Sequence, residues 1–256
     1  MNLKRYTPTG CLKPFVKEFL IVESSVETQN RLLPDTAIVL AFRFSGAVSD
    51  PTENRSQLPV SVITGLRKSS RLLNYSKNTA TLLVLFREGG AAAFFREPLH
   101  ELFGFSLPFD DLIPRRSLAE LEERLAEAPT NPHRIAMIEQ FLIAKRLRTS
   151  PEPLINQAVA SIKTAHGKTG IKTLAESLSI SQDAFEKRFR RAVGTTPKQF
   201  ATLVRFRHLI TTHSSDQSLT DLAYEAGYFD QAHFIKDFRT FTDQTPHDFF
   251  KLPRYW

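Results

Sequence analysis

At 256 residues, with 41% apolar and 24% charged side chains and 21 Phe, the chain is sized for two folded domains and excludes a disordered polymer. Its single cysteine, Cys11, excludes an intrachain disulfide and a cysteine-built zinc site, while the formal charge of +7 favours a polyanionic partner. No apolar run reaches the roughly 18 residues of a membrane span, and the start, MNLKRYTPTG, has no apolar signal core, so the expected location is the cytoplasm, with no membrane partner.

In the first third, β-branched and aromatic runs alternate with turn formers. Glu18 to Ser24, Thr36 to Phe44, Val60 to Thr64 and Ala80 to Arg87 read as strands, whereas Asn30 to Asp35 and Ser45 to Pro59 read as loops. Glu88 to Ala91 lacks the Gly-Lys-Ser/Thr of a phosphate loop and reads as a turn after a strand. Two helical patterns follow. Ser117 to Ala128 carries Leu118, Leu121 and Leu125 on one face, and Pro132 to Leu147 carries Ile135, Ile138, Phe141 and Leu142. Ser117 and Glu120 have capping-box spacing, and Pro132 suits a first helical position. These helices could pair with a second copy or cover the sheet.

Thr149-Ser150-Pro151-Glu152-Pro153 cannot continue a helix, and a domain boundary is expected there. Everything after Leu154 reads as helix. The expected architecture is α+β in two domains: a β-rich N-terminal domain over 1–112, a helical segment and linker over 113–150, and an all-α domain over 151–256.

The C-terminal region repeats itself. Leu174-Ala175 returns as Leu222-Ala223, 48 residues on, and Phe185, Phe189, Pro197 and Phe200 return as Phe234, Phe238, Pro246 and Phe249, 49 residues on. Helices keep their phase while a loop absorbs the extra residue. Each copy predicts a short helix, a tight turn, an N-cap and a longer helix. The first runs from Ile171 to Leu178, turns at Ser179-Ile180, and is capped by Ser181 for a helix to about Val193. The second runs from Leu219 to Ala226, turns at Gly227-Tyr228-Phe229, and is capped by Asp230 for a helix to about Phe241. Gly227 suits a left-handed C′ position.

If Phe185 and Phe189 face inward, then Gln182, Asp183, Glu186, Lys187 and Arg190 face out. Such a surface fits the major groove, where Gln pairs with adenine and Arg or Lys with guanine. The second outward set is Gln231, Ala232, Ile235, Lys236 and Arg239, less polar, with Ala232 and Ile235 able to touch only thymine methyls. Between Gln182 and Arg207 seven basic residues face two acidic ones; from His208 onward four basic residues face seven acidic ones. The first copy is therefore expected to supply most of the electrostatic affinity. Arg205 and Arg207 can serve phosphate or an acidic neighbour within the domain, the structural role being favoured.

The paired units LAESLSISQDAFEKRFRRAVGTTPKQF and LAYEAGYFDQAHFIKDFRTFTDQTPHDF resemble those of the AraC family of bacterial transcription regulators, over about Leu154 to Phe250. The resemblance implies seven helices, with Pro197 to about Thr212 joining the units, and two recognition helices in successive major grooves of double-stranded DNA. It makes Gln182, Glu186, Lys187, Arg190, Gln231, Lys236 and Arg239 candidates for base edges, and Thr195, Thr196, Lys198 and Thr245 for phosphates. RNA polymerase is the implied protein partner. The chain departs from the family at Asp243, where glycine is usual before the second turn, although the first unit keeps Gly194. Upstream, Leu33-Pro34-Asp35, Phe86 to Ala91 and the helix ending Ile138 to Leu142 resemble a poorly characterised domain attached to some AraC-type regulators. That domain is expected to sense a small molecule or to mediate homodimerisation.

No catalytic, cofactor or metal constellation is visible. The seven His lack ligand spacing, and His-Glu-x-x-His does not occur. An alternative makes the N-terminal domain an enzyme such as a DNA-repair alkyltransferase, for which Cys11 is the one available thiol. As a sensor Cys11 has only Lys13 nearby to activate it, and an incidental or buried thiol is the favoured reading.

Overall fold

The computed structural model describes residues 1–53, 57–147, 150–213, 218–225, 227–228 and 230–251. An antiparallel six-stranded sheet is built from β1 (Asn2–Tyr6), β2 (Val16–Ser24), β4 (Val39–Ser45), β6 (Ser61–Thr64), β8 (Thr79–Phe86) and β9 (Ser106–Pro108), in the order β1-β2-β8-β4-β6-β9. A smaller sheet has the order β3-β7-β5, from β3 (Thr28–Leu32), β5 (Val48–Ser49) and β7 (Arg71–Tyr75). The four expected strands are present, although the second begins at Val39 rather than Thr36. Two loop expectations need correction: β3 overlaps Asn30 to Asp35, and β5 lies inside Ser45 to Pro59. β1 and β3 are edge strands whose side chains are exposed or half-buried, so neither shows an apolar alternation. β7 and β9 likewise escaped the sequence pattern.

One face of the large sheet is apolar because registered positions share it: Leu40 lies opposite Ile63 and Val84, and Phe42 opposite Leu82. The helices α1 (Arg115–Glu127) and α2 (Asn131–Lys145) contribute Leu118, Leu121, Leu125, Ile135, Ile138 and Leu142 to the same core. Phe141 meets Phe42 edge-on at 6.4 Å. The helices thus cover the sheet. The capping box at Ser117 is not formed. Pro114 opens α1 three residues earlier, Ser117 falls inside the helix, and Glu120 lies instead beside Arg116 at 3.6 Å.

After Pro151-Glu152 come α3 (Pro153–Thr164), α4 (Ile171–Ser177), α5 (Gln182–Val193), α6 (Pro197–Thr212), α7 (Leu219–Glu225), α8 (Gln231–Thr242) and α9 (Pro246–Lys251), and no strand among the described residues. The duplication is visible in the packing. Phe185–Phe189 and Phe189–Phe200 centroids are 5.6 and 5.5 Å apart; the equivalent Phe234–Phe238 and Phe238–Phe249 pairs are 5.6 and 5.2 Å apart. Phe206 of α6 touches Phe238 at 5.7 Å, so the joining helix shares the second unit's core.

The two domains share a continuous apolar core running from Leu12 to Phe249. α5 packs against two short 3-10 turns of the N-terminal domain, Ala91–Ala93 and Leu99–Leu102. Polar ties border that seam: Lys163 of α3 donates to Glu88 at 2.8 Å, and Arg207 of α6 lies 3.8 Å from Asp35. Burial would raise the Glu88 carboxyl, but the Lys163 ammonium and the Thr36 hydroxyl outweigh it and hold the group below its ordinary value. No described helix is long and apolar enough to cross a membrane.

Candidate nucleic-acid interface

In the first unit, α4 ends at Ser177, Ser179 turns the chain at φ 54°, and the Ser181 hydroxyl accepts from Ala184 N at 3.4 Å to open α5. Phe185, Phe189, Ala192 and Val193 are buried. Gln182, Asp183, Lys187, Arg190 and Arg191 are exposed, and the three basic ones make no ion pair among the described residues. Glu186 is half-buried and accepts from the Gln182 amide at 2.9 Å, which couples those two side chains. Arg188 is exposed as well, but its guanidinium is paired with Glu152 of the linker.

Gly194, at φ 96°, ends α5 in the left-handed region. Thr195 then disappoints as a phosphate contact. It is buried, and its hydroxyl donates to Gln199 Oε1 at 2.7 Å, because the turn is packed inward against the N-terminal domain. Thr196 caps α6 by accepting from Gln199 N at 3.1 Å, and Lys198 is exposed beside it.

In the second unit, Gly227 takes φ 78° as its C′ role requires, while Ala226, the expected end of the short helix, and Phe229 of the expected turn lie outside the described residues. Tyr228 is buried beneath the Arg205 guanidinium, which lies 5.5 Å from its ring and donates to Gly167 O at 3.0 Å. Arg205 therefore has the structural role. Arg207 pairs too, but across the domain seam with Asp35 rather than within its own domain. Asp230 accepts from His233 N at 2.7 Å and opens α8. Phe234, Phe238 and Phe241 are buried; Gln231, Ala232, Lys236 and Arg239 are exposed, and Ile235 is half-buried. Ala232, Ile235, Lys236 and Arg239 line an open concavity with Thr240.

Thr245 caps α9 but shares that position with an acid. Its hydroxyl donates to Asp248 Oδ2 at 2.6 Å and accepts from Asp248 N at 3.2 Å. That hydroxyl holds the Asp248 carboxyl below its ordinary value, so a negative charge already occupies the helix N-terminus where a phosphate would bind. The first unit has neutral Gln199 at the equivalent place.

Residues 174–252 match a family described as a helix-turn-helix domain. Those residues, α4 to α9, therefore form a helix-turn-helix domain. Residues 4–108 match a second family, described as a domain of unknown function, DUF6597. The chain is 32% identical over 80 residues to the HTH-type transcriptional activator RhaS of Citrobacter koseri, covering 30% of this chain and 28% of that protein. It is 27% identical over 146 residues to RhaS of Salmonella paratyphi B, covering 52% of each. The chain thus spans about half or less of the curated relatives it matches. ToxT from Vibrio cholerae O395 superposes with a TM-score of 0.46 at 12% identity, over 95% of this chain and 100% of that one, a likeness too slight to carry weight. Cys11 is exposed, with the Thr9 hydroxyl 3.7 Å from its sulfur.

Sequence reasoning missed three polar residues of the seam, Arg31, Ser70 and Glu88. Each becomes meaningful only through a partner far along the chain.

Proposed function

We propose that the chain is a sequence-specific transcription regulator whose helices α5 and α8 read adjacent major-groove segments of one DNA duplex. The observation that carries this reading is a duplicated arrangement: each helix is capped by its own side chain, hides its aromatic face and leaves its polar face exposed. Gln182, Glu186, Lys187 and Arg190 then meet base edges in one segment, and Gln231, Lys236 and Arg239 in the next. Thr196 and Lys198 meet phosphate; Thr245 contributes weakly because Asp248 stands beside it. The chain divides functionally into 1–112, 113–150 and 151–256, and occupancy of the site recruits or excludes RNA polymerase. The N-terminal domain is the place for a small-molecule effector or for pairing with a second copy; a thermal-shift panel of metabolites distinguishes these, because a tight ligand must raise the melting temperature. The regulator names of the matched relatives support the DNA-binding reading.

The test uses a duplex recovered with the full chain from a random-sequence pool. Lys187→Ala combined with Arg190→Ala weakens binding about tenfold or more in a mobility-shift assay at fixed salt. Unchanged affinity contradicts the reading.

A further inference from the structure

Gly194 and Asp243 occupy the same position in the two units, 49 residues apart, immediately after the recognition helix. Both adopt left-handed backbone, at φ 96° and 57°. Both touch the N-terminal domain. At Gly194 the contact is made by backbone alone, and a Cβ placed there would lie 3.1 Å from the Leu99 carbonyl oxygen. At Asp243 a carboxylate makes it: Oδ2 accepts from Ser70 Oγ at 2.7 Å and from Arg31 Nη1 at 3.1 Å, while Arg31 Nη1 also donates to Ser70 Oγ at 3.0 Å. The same Arg31 nitrogen reaches Thr242 O at 3.4 Å, which places a cation at the carbonyl end of α8 where the helix dipole favours one.

Asp243 is therefore a poor choice for its own turn and a good one for the seam. Glycine adopts left-handed backbone without a side-chain penalty, and a non-glycine residue kept there points to a role outside the turn. Ser70 is buried and fixed at the entry to β7, and Arg31 lies in β3 opposite Leu72 of β7, so the clasp is anchored in two paired strands of one sheet. The polar faces of α5 and α8 remain exposed while their ends are held.

We propose that Asp243 is a positioning residue: by clasping Arg31 and Ser70 it lets the N-terminal domain hold the second recognition helix at a fixed orientation to the first, setting the spacing of the DNA segments they read. This rests on the DNA-binding reading above for its consequence, but the clasp itself can be measured without DNA.

Spin labels are placed at Val26→Cys, exposed on the turn before β3, and Thr240→Cys, exposed on α8, in a Cys11→Ser chain, and the distance distribution is measured by pulsed electron resonance. The parent chain gives a narrow distribution. Asp243→Gly and Arg31→Ala each broaden it, and the two together broaden it no further, because both remove one contact. A distribution as narrow as the parent's in the Asp243→Gly chain overturns the proposal, and local damage is no alternative explanation because glycine suits that turn. On the selected duplex, inserting two base pairs between the recognised segments weakens parent binding. Asp243→Gly weakens binding to the original duplex roughly three- to tenfold and shrinks the insertion penalty by a similar factor. A parent-like penalty overturns the proposal as well. If no duplex is enriched, the DNA-binding reading fails, and the distance measurement still decides the clasp.

Discussion

The two helix-turn-helix units share a plan and differ in everything that plan leaves open. The first is basic and is seated on the N-terminal domain by apolar packing of α5 against Ala91–Ala93 and Leu99–Leu102. The second lies in a net acidic stretch and is tied to that domain by a polar clasp at Asp243. Where Lys198 and Gln199 follow the first cap, His247 and Asp248 follow the second. Duplication preserved the residues that fold each unit, and charge and docking then diverged. On the proposed reading, the first unit supplies affinity and the second supplies register.

The comparison breaks most severely in the cores. Phe189→Ala removes a fully buried ring at the joint between α5 and α6 and costs about 3–5 kcal/mol in denaturant unfolding. Because α5 is also the docking helix, the N-terminal domain loses stability with it. Phe238→Ala empties the equivalent site at similar cost, but its loss is felt mainly by the second unit. Next in size is a pair of opposite sign. Gly194→Ala is strained by its backbone and meets the Leu99 carbonyl, and lowers stability by about 1–3 kcal/mol. Asp243→Gly, at the matching position, relieves backbone strain while losing the clasp, and its melting temperature stays close to the parent's.

Asp248→Gln gives the second unit the residue type of the first and removes a negative charge from the entry to α9. Binding to the selected duplex is expected to tighten a few-fold at low salt, with little change at high salt, as a titration by fluorescence anisotropy would show. The smallest effect is pH dependence at the seam. The folded Glu88 carboxyl lies below its ordinary value of 4.5, so its contribution is present above that value and is lost as pH falls through the folded one. The difference in melting temperature between the parent and Glu88→Gln should therefore shrink on acidification from neutrality to below pH 4; a constant difference would deny Glu88 this role.

Much of the C-terminal domain was legible because its signals are local. Ser181, Asp230 and Gly227 act within four residues of themselves, and Phe185, Phe189, Phe234 and Phe238 announce their buried face by spacing alone. The edge strands β1 and β3 were illegible for the opposite reason: their side chains are exposed or half-buried without an apolar alternation, and backbone pairing with β2 and β7 defines them. Thr195 looked like its neighbour Thr196, and nothing local distinguishes a hydroxyl turned inward by domain packing from one turned outward. Asp243 was visible as a departure from the family's glycine, yet its partner Arg31 lies 212 residues away. Long-range polar partners leave no periodicity to read.

Guanine methylation interference on the selected duplex tests the central claim most directly. Two clusters of interfering guanines are predicted, about one helical turn (10–10.5 base pairs) apart on one face of the DNA, with Lys187→Ala plus Arg190→Ala erasing one cluster and sparing the other. A single cluster, or two that both survive that pair of substitutions, would contradict reading by two recognition helices.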